Sequence, residues 1–155
     1  MDDKKSIKVL MISSDRKIFL DGSPVSVRMK EYGSLAEELH IIVFAKKSLG
    51  FNIKQLGENV WVYPTNSSSK WSYISDATKI GERLIPEKNF IRGLSLITVQ
   101  DSSETGRVGL TIKKKWRLPL QVQIHTDIFD PNFLRLSFLN RIRLFLSKKV
   151  LKSAD

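Results

Sequence analysis

Five short apolar runs, alternating for the most part with stretches of helical character, set the main limit on how this chain can fold. The runs occupy residues 7–13, 40–45, 59–63, 94–99 and 120–124. The first of them, 7–13, lacks a clean alternation of apolar and polar positions, which is typical of a strand that is covered on both faces. Helical spacing of apolar residues predicts helices over residues 25–39, 71–85, 104–116 and 132–152, with a turn-rich connector over 46–58.

Strands that alternate with helices predict right-handed crossovers and a parallel sheet. The expected fold class is therefore α/β, with a Rossmann-like, doubly wound parallel sheet in three α/β/α layers. We expect about five strands in the order 3-2-1-4-5. The 155 residues form one domain by size, so the predicted domain is 1–155.

The composition excludes several classes of protein. The chain has no cysteine, which excludes disulfides and thiolate metal sites and suits a reducing compartment. The first residues lack the long apolar core of a signal peptide, and no apolar run approaches the roughly 20 residues of a membrane span. We therefore expect a cytoplasmic protein, either free or peripheral at the inner face of the membrane.

Positive charge is concentrated near the end of the chain. The formal net charge is +10, and residues 133–155 hold six basic residues against one acid. A second group consists of Lys113, Lys114, Lys115 and Arg117. A surface of this kind attracts nucleic acid, anionic lipid or phosphorylated ligands, without distinguishing between them.

The predicted last helix, 132–152, mixes bulky apolar residues with arginine and lysine, and this pattern has two interpretations. A basic amphipathic helix of this type can lie on an anionic membrane surface. Alternatively, its apolar face packs on the sheet and its basic residues face water, as in an ordinary core helix.

His125 is a candidate site residue because it directly follows the predicted strand 120–124 and precedes Thr126 and Asp127. Ligands of open α/β sheets bind outside the carboxyl ends of the strands. An imidazole there could bond a substrate hydroxyl or stabilise developing charge, or it could simply cap the strand end. The other histidine, His40, is predicted to be structural.

Two loops offer further candidates. Asp101, Glu104, Thr105 and Gly106 form a turn into a helix, whose free N–H groups could bind an anion or sugar hydroxyls, although plain helix capping explains them as well. Gly22 and Ser23 follow the first strand, but the glycine could merely make a turn. The chain lacks GxGxxG, GxxxxGK[ST], HExxH and GxSxG motifs, which argues against a dinucleotide site, a P-loop, a zinc protease and a serine hydrolase.

Four segments together carry a family resemblance. The series KVLMISSDRKIFLDGSPVSVRMKEYGSLAEELHIIVF, VQDSSETG, LQVQIHTDIF and VLKSAD resembles the amino-terminal half of a family 4 glycosyltransferase of the GT-B fold. The similarity runs over nearly the whole chain, in order and at the expected spacing. Such enzymes have two Rossmann-like domains that face each other across a cleft, are retaining, and work without a metal ion.

The resemblance implies roles for the candidate residues. His125 would lie beside the transferred sugar, Asp127 would brace its turn, and Asp101, Glu104, Thr105 and Gly106 would line the acceptor side of the cleft. Gly22 and Ser23 would approach the donor phosphate or the acceptor, although many relatives carry two adjacent glycines there. No cofactor is implied, because the nucleotide-sugar is a co-substrate.

The resemblance also implies partners. These are a nucleotide-sugar donor, a glycan or lipid-linked acceptor, and a donor-binding domain in cis or in trans. Because the chain stops at Asp155, before that second domain, we expect it to be truncated and to show little or no transfer alone. The rival hypothesis is a non-catalytic basic α/β module that binds RNA or a phosphorylated partner. Nucleic acid is the less favoured ligand, because Trp61, Trp71 and Trp116 are scattered rather than grouped as a stacking platform.

Overall fold

The computed structural model describes residues 7–125 and 127–155. Residues 1–6, where the sequence lacks the features of a signal peptide, and Thr126 of the predicted His125-Thr126-Asp127 turn lie outside this range. The described chain is a six-stranded sheet with helices on both faces, and the α/β class with its three layers is confirmed.

The sheet is mostly parallel. Its strands are β1 (Lys8–Ser13), β2 (Glu38–Val43), β3 (Lys54–Gly57), β4 (Val60–Pro64), β5 (Ser95–Val99) and β6 (Leu120–Val122), in the spatial order β3-β4-β2-β1-β5-β6. The five predicted strands correspond to β1, β2, β4, β5 and β6, are all parallel, and follow the predicted order.

The prediction missed β3, which lies in the connector assigned to turns and pairs antiparallel with β4. Its four residues, KQLG, are mainly polar, and only Leu56 is buried. An edge strand of this kind has no apolar run to reveal it, because only one of its sides meets the sheet and little of it meets the core.

The helices are α1 (Pro24–Gly33), α2 (Tyr73–Glu87), α3 (Glu104–Trp116), α4 (Pro131–Leu136) and α5 (Phe138–Leu151). The bounds of α3 agree with the prediction. Helix α1 ends six residues earlier than predicted, because Leu39, which continued the helical spacing, belongs to β2 and is buried there. Helix α2 contains Pro86 in its last turn, whereas the prediction ended the helix before it.

Alternate residues of β1, β2 and β4 face two separate cores. Leu10, Ile12 and Ile42 pack with α2, α3 and Val150 of α5 on one face. Met11, Ile41 and Val62 pack with α1 on the other. The apolar runs are continuous in sequence because both faces are covered, as expected for a parallel sheet.

The predicted last helix is two helices rather than one. Ser137 has extended backbone angles, φ −163° and ψ 144°, and its Oγ accepts a hydrogen bond from the Leu139 N–H at 3.1 Å. A serine that caps a new helix interrupts the old one without breaking the apolar spacing that predicted a single helix.

Strand β6 is also shorter than predicted. It ends at Val122 instead of residue 124, and the side chain of Ile124 is 56% exposed. The expectation of a buried strand that runs directly into the turn is therefore wrong for its last two residues.

Among residues 7–125 and 127–155, no helix combines the length and apolar character required to cross a bilayer.

Candidate functional site

The carboxyl ends of β1 and β5 meet at the point where the winding of the sheet reverses. The connection from β1 leads to β2 on one side, and that from β5 leads to β6 on the other. In open α/β sheets this divergence creates a crevice in which ligands bind. Here the Ser13 hydroxyl at the end of β1 donates to Oε1 of Gln100, the residue that follows β5.

Ser13 and Gln100 are not among the site residues predicted from the sequence. Each directly follows a buried apolar residue at the carboxyl end of a strand, in LMIS and ITVQ. The Ser13 Oγ also accepts the Asp15 N–H at 3.0 Å, which fixes the loop after β1. A polar residue that closes a buried strand is the signal that would have identified both.

Asp101 organises the turn between β5 and α3. Its carboxylate accepts the Ser103 N–H at 2.8 Å, the Ser103 hydroxyl at 2.8 Å and the Thr105 hydroxyl at 2.7 Å. Ser103 is buried and Thr105 is fully buried. The carboxylate thus closes the turn that leads into α3, whose N-cap residue is Ser103.

Replacing Asp101 by alanine is expected to lower the free energy of unfolding by about 2 kcal/mol, because the Ser103 N–H and the buried Thr105 hydroxyl lose a charged acceptor. Urea unfolding followed by circular dichroism measures the change. Asp76→Ala is the control, since Asp76 lies in the first turn of α2 and forms only a 3.9 Å ion pair with the mostly exposed Lys79. Equal stability of the two variants would contradict this role of Asp101 in the turn.

Glu104 and Gly106 connect this turn to α5. The Arg143 Nε donates to Glu104 at 2.8 Å, and the Ser103 hydroxyl also donates to the carboxylate. Burial alone would raise the pKa of Glu104, but these hydrogen bonds and the arginine charge outweigh it and hold the pKa below its ordinary value. A Cβ on Gly106 would lie 3.0 Å from the Asp101 carbonyl oxygen and 3.0 Å from Val150 Cγ1.

Since Thr105 and Gly106 are buried, a ligand would meet this turn through Gln100, Asp101 and Glu104, which are each partly exposed. Thr105 and Gly106 hold the turn from inside. Their predicted place on the acceptor side stays a prediction.

Gly22 and Ser23 lie at the start of α1. Gly22 has a φ of +72°, and the space around its missing Cβ is open. Ser23 caps α1, because its Oγ accepts the Ser26 N–H at 3.1 Å and donates to the Lys17 carbonyl at 2.7 Å. The positive φ shows that the glycine makes a turn, while the open space leaves room for a ligand.

His125 and Asp127 follow β6 and are both exposed. After β6 ends, Gln123 still pairs with β5, since its N–H donates to the Val99 carbonyl at 2.8 Å. His125 therefore comes two residues after a position that is fixed beside β5. The Asp127 Oδ1 accepts the Phe129 N–H at 2.9 Å, which holds the next turn in place.

Four segments, namely the end of β1, the loop before α1, the turn after β5 and the segment after β6, offer hydroxyl, amide, carboxylate and imidazole groups. Such groups can donate or accept hydrogen bonds. No group of three or more histidine, aspartate or glutamate side chains suitable for a metal ion occurs in the described part of the chain. The candidate site is thus one for polar recognition.

His40 has a different environment from His125. It is fully buried in β2, with Nδ1 2.9 Å from the Tyr63 hydroxyl and Nε2 2.9 Å from the Glu38 carboxylate. Its ring stacks on Trp61 at 4.9 Å. The predicted strand 40–45 begins at His40, whereas β2 begins at Glu38, so His40 lies within the strand.

A basic groove lies away from this edge, on the outer surface of α2, α3 and α5. Its volume is about 450 Å³, and its charged lining consists of Glu82, Arg107, Lys114, Lys115 and Lys149. Lys115 pairs with Glu82 at 3.0 Å. Three basic residues of the two charged groups found in the sequence, Lys114, Lys115 and Lys149, thus share this groove.

Comparison with protein-family models and with curated proteins finds no match to this chain. The fold is therefore established by the sheet and its helices, and the resemblance to a glycosyltransferase stays an expectation.

Proposed function

We propose that this chain is the acceptor-binding, amino-terminal half of a retaining family 4 glycosyltransferase of the GT-B fold. The enzyme would move a sugar from a nucleotide-sugar to a glycan or a lipid-linked acceptor. The proposal rests on the four segments of resemblance and on the sheet order, which is the arrangement that such a half-enzyme requires.

The observation that carries the proposal is the crevice between β1 and β5. Ser13 and Gln100 join its two sides, and Asp101, Glu104 and His125 follow the strands on the β5 and β6 side. Hydroxyl, amide and carboxylate groups around such a crevice are what a sugar acceptor needs, because each sugar hydroxyl both donates and accepts a hydrogen bond.

In this proposal, His125 lies beside the sugar being transferred. Sugar transfer develops positive charge on the ring and negative charge on the leaving phosphate, so polar groups in a dry cleft stabilise the transition state. Asp127 holds the turn after His125, while Asp101 and Glu104 accept hydrogen bonds from the acceptor. The Gly22 and Ser23 loop approaches from the α1 side.

The donor side of the cleft would come from a second, nucleotide-sugar-binding domain, supplied in cis or in trans. The half described here is accordingly proposed to recognise the acceptor.

The proposal is tested by saturation-transfer NMR on the 155-residue chain with a panel of soluble oligosaccharides and octyl glycosides. At least one sugar is expected to bind, and His125→Ala is expected to weaken its affinity about tenfold, the effect of losing one good hydrogen bond. Glu58→Ala is the control, because Glu58 is exposed in the turn before β4, at the opposite edge of the sheet.

Absence of binding across the panel would contradict the proposal. So would equal affinities of the His125→Ala variant and the unchanged chain. A salt-sensitive shift of generic RNA by the chain, with no sugar bound, would favour the rival binding module instead.

A further inference from the structure

The outward surface of α5 carries large apolar side chains. Phe138 is 72% exposed and Phe145 is 70% exposed, with Ile142 between them on the same side of the helix. Leu136, at the end of α4, is 79% exposed. The buried residues of α5 are instead Asn140, Ser147 and Val150. A helix of a globular domain normally has the reverse arrangement, with its apolar side inward.

Specific contacts fix this rotation of α5. The Asn140 amide donates to the Phe133 carbonyl at 2.7 Å, and the Ser102 hydroxyl donates to Ser147 at 3.0 Å. Arg143 binds Glu104, and Val150 packs against Gly106. The apolar residues are therefore held outward by bonds that a rotated helix would lose.

The same outward surface is basic. Arg141, Lys148, Lys149 and Lys152 lie on α5 or directly after it, and residues 131–154 include no acid. Lys149 also lines the groove shared with Arg107 and Lys114 of α3. The apolar residues and the basic groove thus form one continuous surface, which we call the α4–α5 face and define by Leu136, Phe138, Ile142, Phe145 and the four basic residues.

We propose that the α4–α5 face docks on a membrane surface rich in anionic lipid. Phenylalanine and leucine side chains would enter the boundary between headgroups and acyl chains, while the lysines and arginines would meet the phosphates. This inference goes beyond the proposed function and does not depend on it, because it concerns a different face of the domain.

The side chains on the face favour lipid over other partners. Lysine is depleted in protein interfaces, and charged residues are depleted at their centres, whereas here basic residues surround the phenylalanines. Single-stranded nucleic acid binds by stacking bases on aromatic rings, which leaves Leu136, Leu139 and Ile142 without a role. A bilayer interface uses aliphatic, aromatic and basic groups together.

Sedimentation of the 155-residue chain with sucrose-loaded vesicles tests the proposal. We expect roughly tenfold stronger binding to vesicles of phosphatidylcholine with about 30% phosphatidylglycerol than to phosphatidylcholine alone, at about 0.15 M salt. The double variant Phe138→Ser/Phe145→Ser should bind the anionic vesicles roughly tenfold more weakly, since it lacks the two aromatic side chains that would enter the bilayer interface. Arg141→Gln/Lys148→Gln should lose a similar factor and should reduce the salt dependence.

Two controls match these variants. Trp71→Ser removes an aromatic side chain that is 88% exposed just before α2, and Lys46→Gln/Lys47→Gln removes two exposed charges beyond β2. Both should bind as the unchanged chain does. Equal binding to neutral and anionic vesicles, or an equal loss in the controls, would overturn the proposal. A concentration-dependent dimer in sedimentation velocity that the phenylalanine variant abolishes, without vesicle binding, would assign the face to a second copy instead.

Discussion

Replacing His40 by alanine is expected to lower the free energy of unfolding by about 2–4 kcal/mol. The imidazole is completely buried and stacks on Trp61, so its removal leaves a cavity. It also removes the partner of the Tyr63 hydroxyl, which burial keeps protonated by raising the pKa of Tyr63 to about 12. Urea unfolding at neutral pH measures the loss.

The hydrogen bonds define one tautomer of His40. The ionised Glu38 carboxylate has no proton to donate and can only accept a hydrogen bond. Nε2 of His40 therefore carries the proton and donates to it. Nδ1 then accepts the hydrogen bond of the Tyr63 hydroxyl. Alanine removes both links at once, which is why a loss larger than that of a single hydrogen bond is expected.

The matched control is the chain's other histidine. His125→Ala should change the free energy of unfolding by less than about 0.5 kcal/mol, because the side chain is exposed. The two variants should therefore affect different properties. His40→Ala should lower stability, and His125→Ala should weaken sugar binding. A loss of stability that is equal in both variants would contradict the assignment of His40 to the core.

The pH dependence of stability gives a second measurement on the same pair. Burial lowers the pKa of His40 below its ordinary 6.5, and the Glu38 hydrogen bond only partly opposes this. The folded state therefore binds fewer protons than the unfolded state once the pH falls below 6.5, so stability should be complete above that pH and decline below it. Between about pH 7.5 and about pH 5.5, the decline should disappear in His40→Ala and persist in His125→Ala.

Glu38 extends the decline to lower pH. Its burial would raise its pKa, but the His40 hydrogen bond and the Lys8 charge outweigh burial and lower the pKa below 4.5. Its contribution to stability is present above pH 4.5 and is lost as the pH falls through the lowered value.

A free energy of unfolding that stays unchanged between about pH 7.5 and about pH 5.5 would argue against the assignment of His40.

Replacing Gly109 by alanine is the second change with a large expected effect, a loss of about 1–3 kcal/mol in the free energy of unfolding. A Cβ at this position of α3 would lie 2.6 Å from Val99 Cγ1 and 2.8 Å from Leu120 Cδ1. Valine in a strand has little freedom to move its methyl groups, so α3 itself must shift away from β5 and β6. Thermal and urea unfolding measure the loss.

Gly57→Ala is the control for this change. Gly57 lies in β3, has no positive φ, and has no neighbouring atom within 4 Å of the place that a Cβ would occupy. Alanine there should cost less than about 0.5 kcal/mol. If the Gly109 variant were as stable as the Gly57 variant, the close packing of α3 on the strands that carry the candidate site would be contradicted.

The order of the parallel strands could be predicted from the alternation of strands with helices, and β1, β2 and β4, which are covered on both faces, leave continuous apolar runs. The elements that were missed lack this signature. β3 is polar because it is an edge strand, and α1 was extended because Leu39 serves β2 at a position that also fits a helical repeat. The break between α4 and α5 at Ser137 leaves the helical spacing of apolar residues unchanged, so this spacing predicted a single helix.

The candidate site could be predicted only as a set of loops. The positions of Asp101 and His125 after strands were correctly predicted, because strand ends are visible in the sequence. Which side chains of the turn before α3 face inward could not be predicted. The burial of Thr105, for example, depends on its hydrogen bond to Asp101 and on packing across the turn. The outward rotation of α5 likewise depends on the hydrogen bonds of the buried Asn140 and Ser147, which no apolar spacing reveals.

The central claim is that the carboxyl edge of the sheet binds carbohydrate, and mapping by ¹H–¹⁵N correlation NMR tests it most directly. Titration with the tightest-binding sugar of the panel should move the amide signals of Ser14, Gly22, Gln100, Asp101 and His125. The amides of Gly57, Asn59 and Gly93, which lie near the opposite edge of the sheet, just before β4 and β5, should stay fixed. Shifts confined to that opposite edge, or to α4 and α5, would contradict the account.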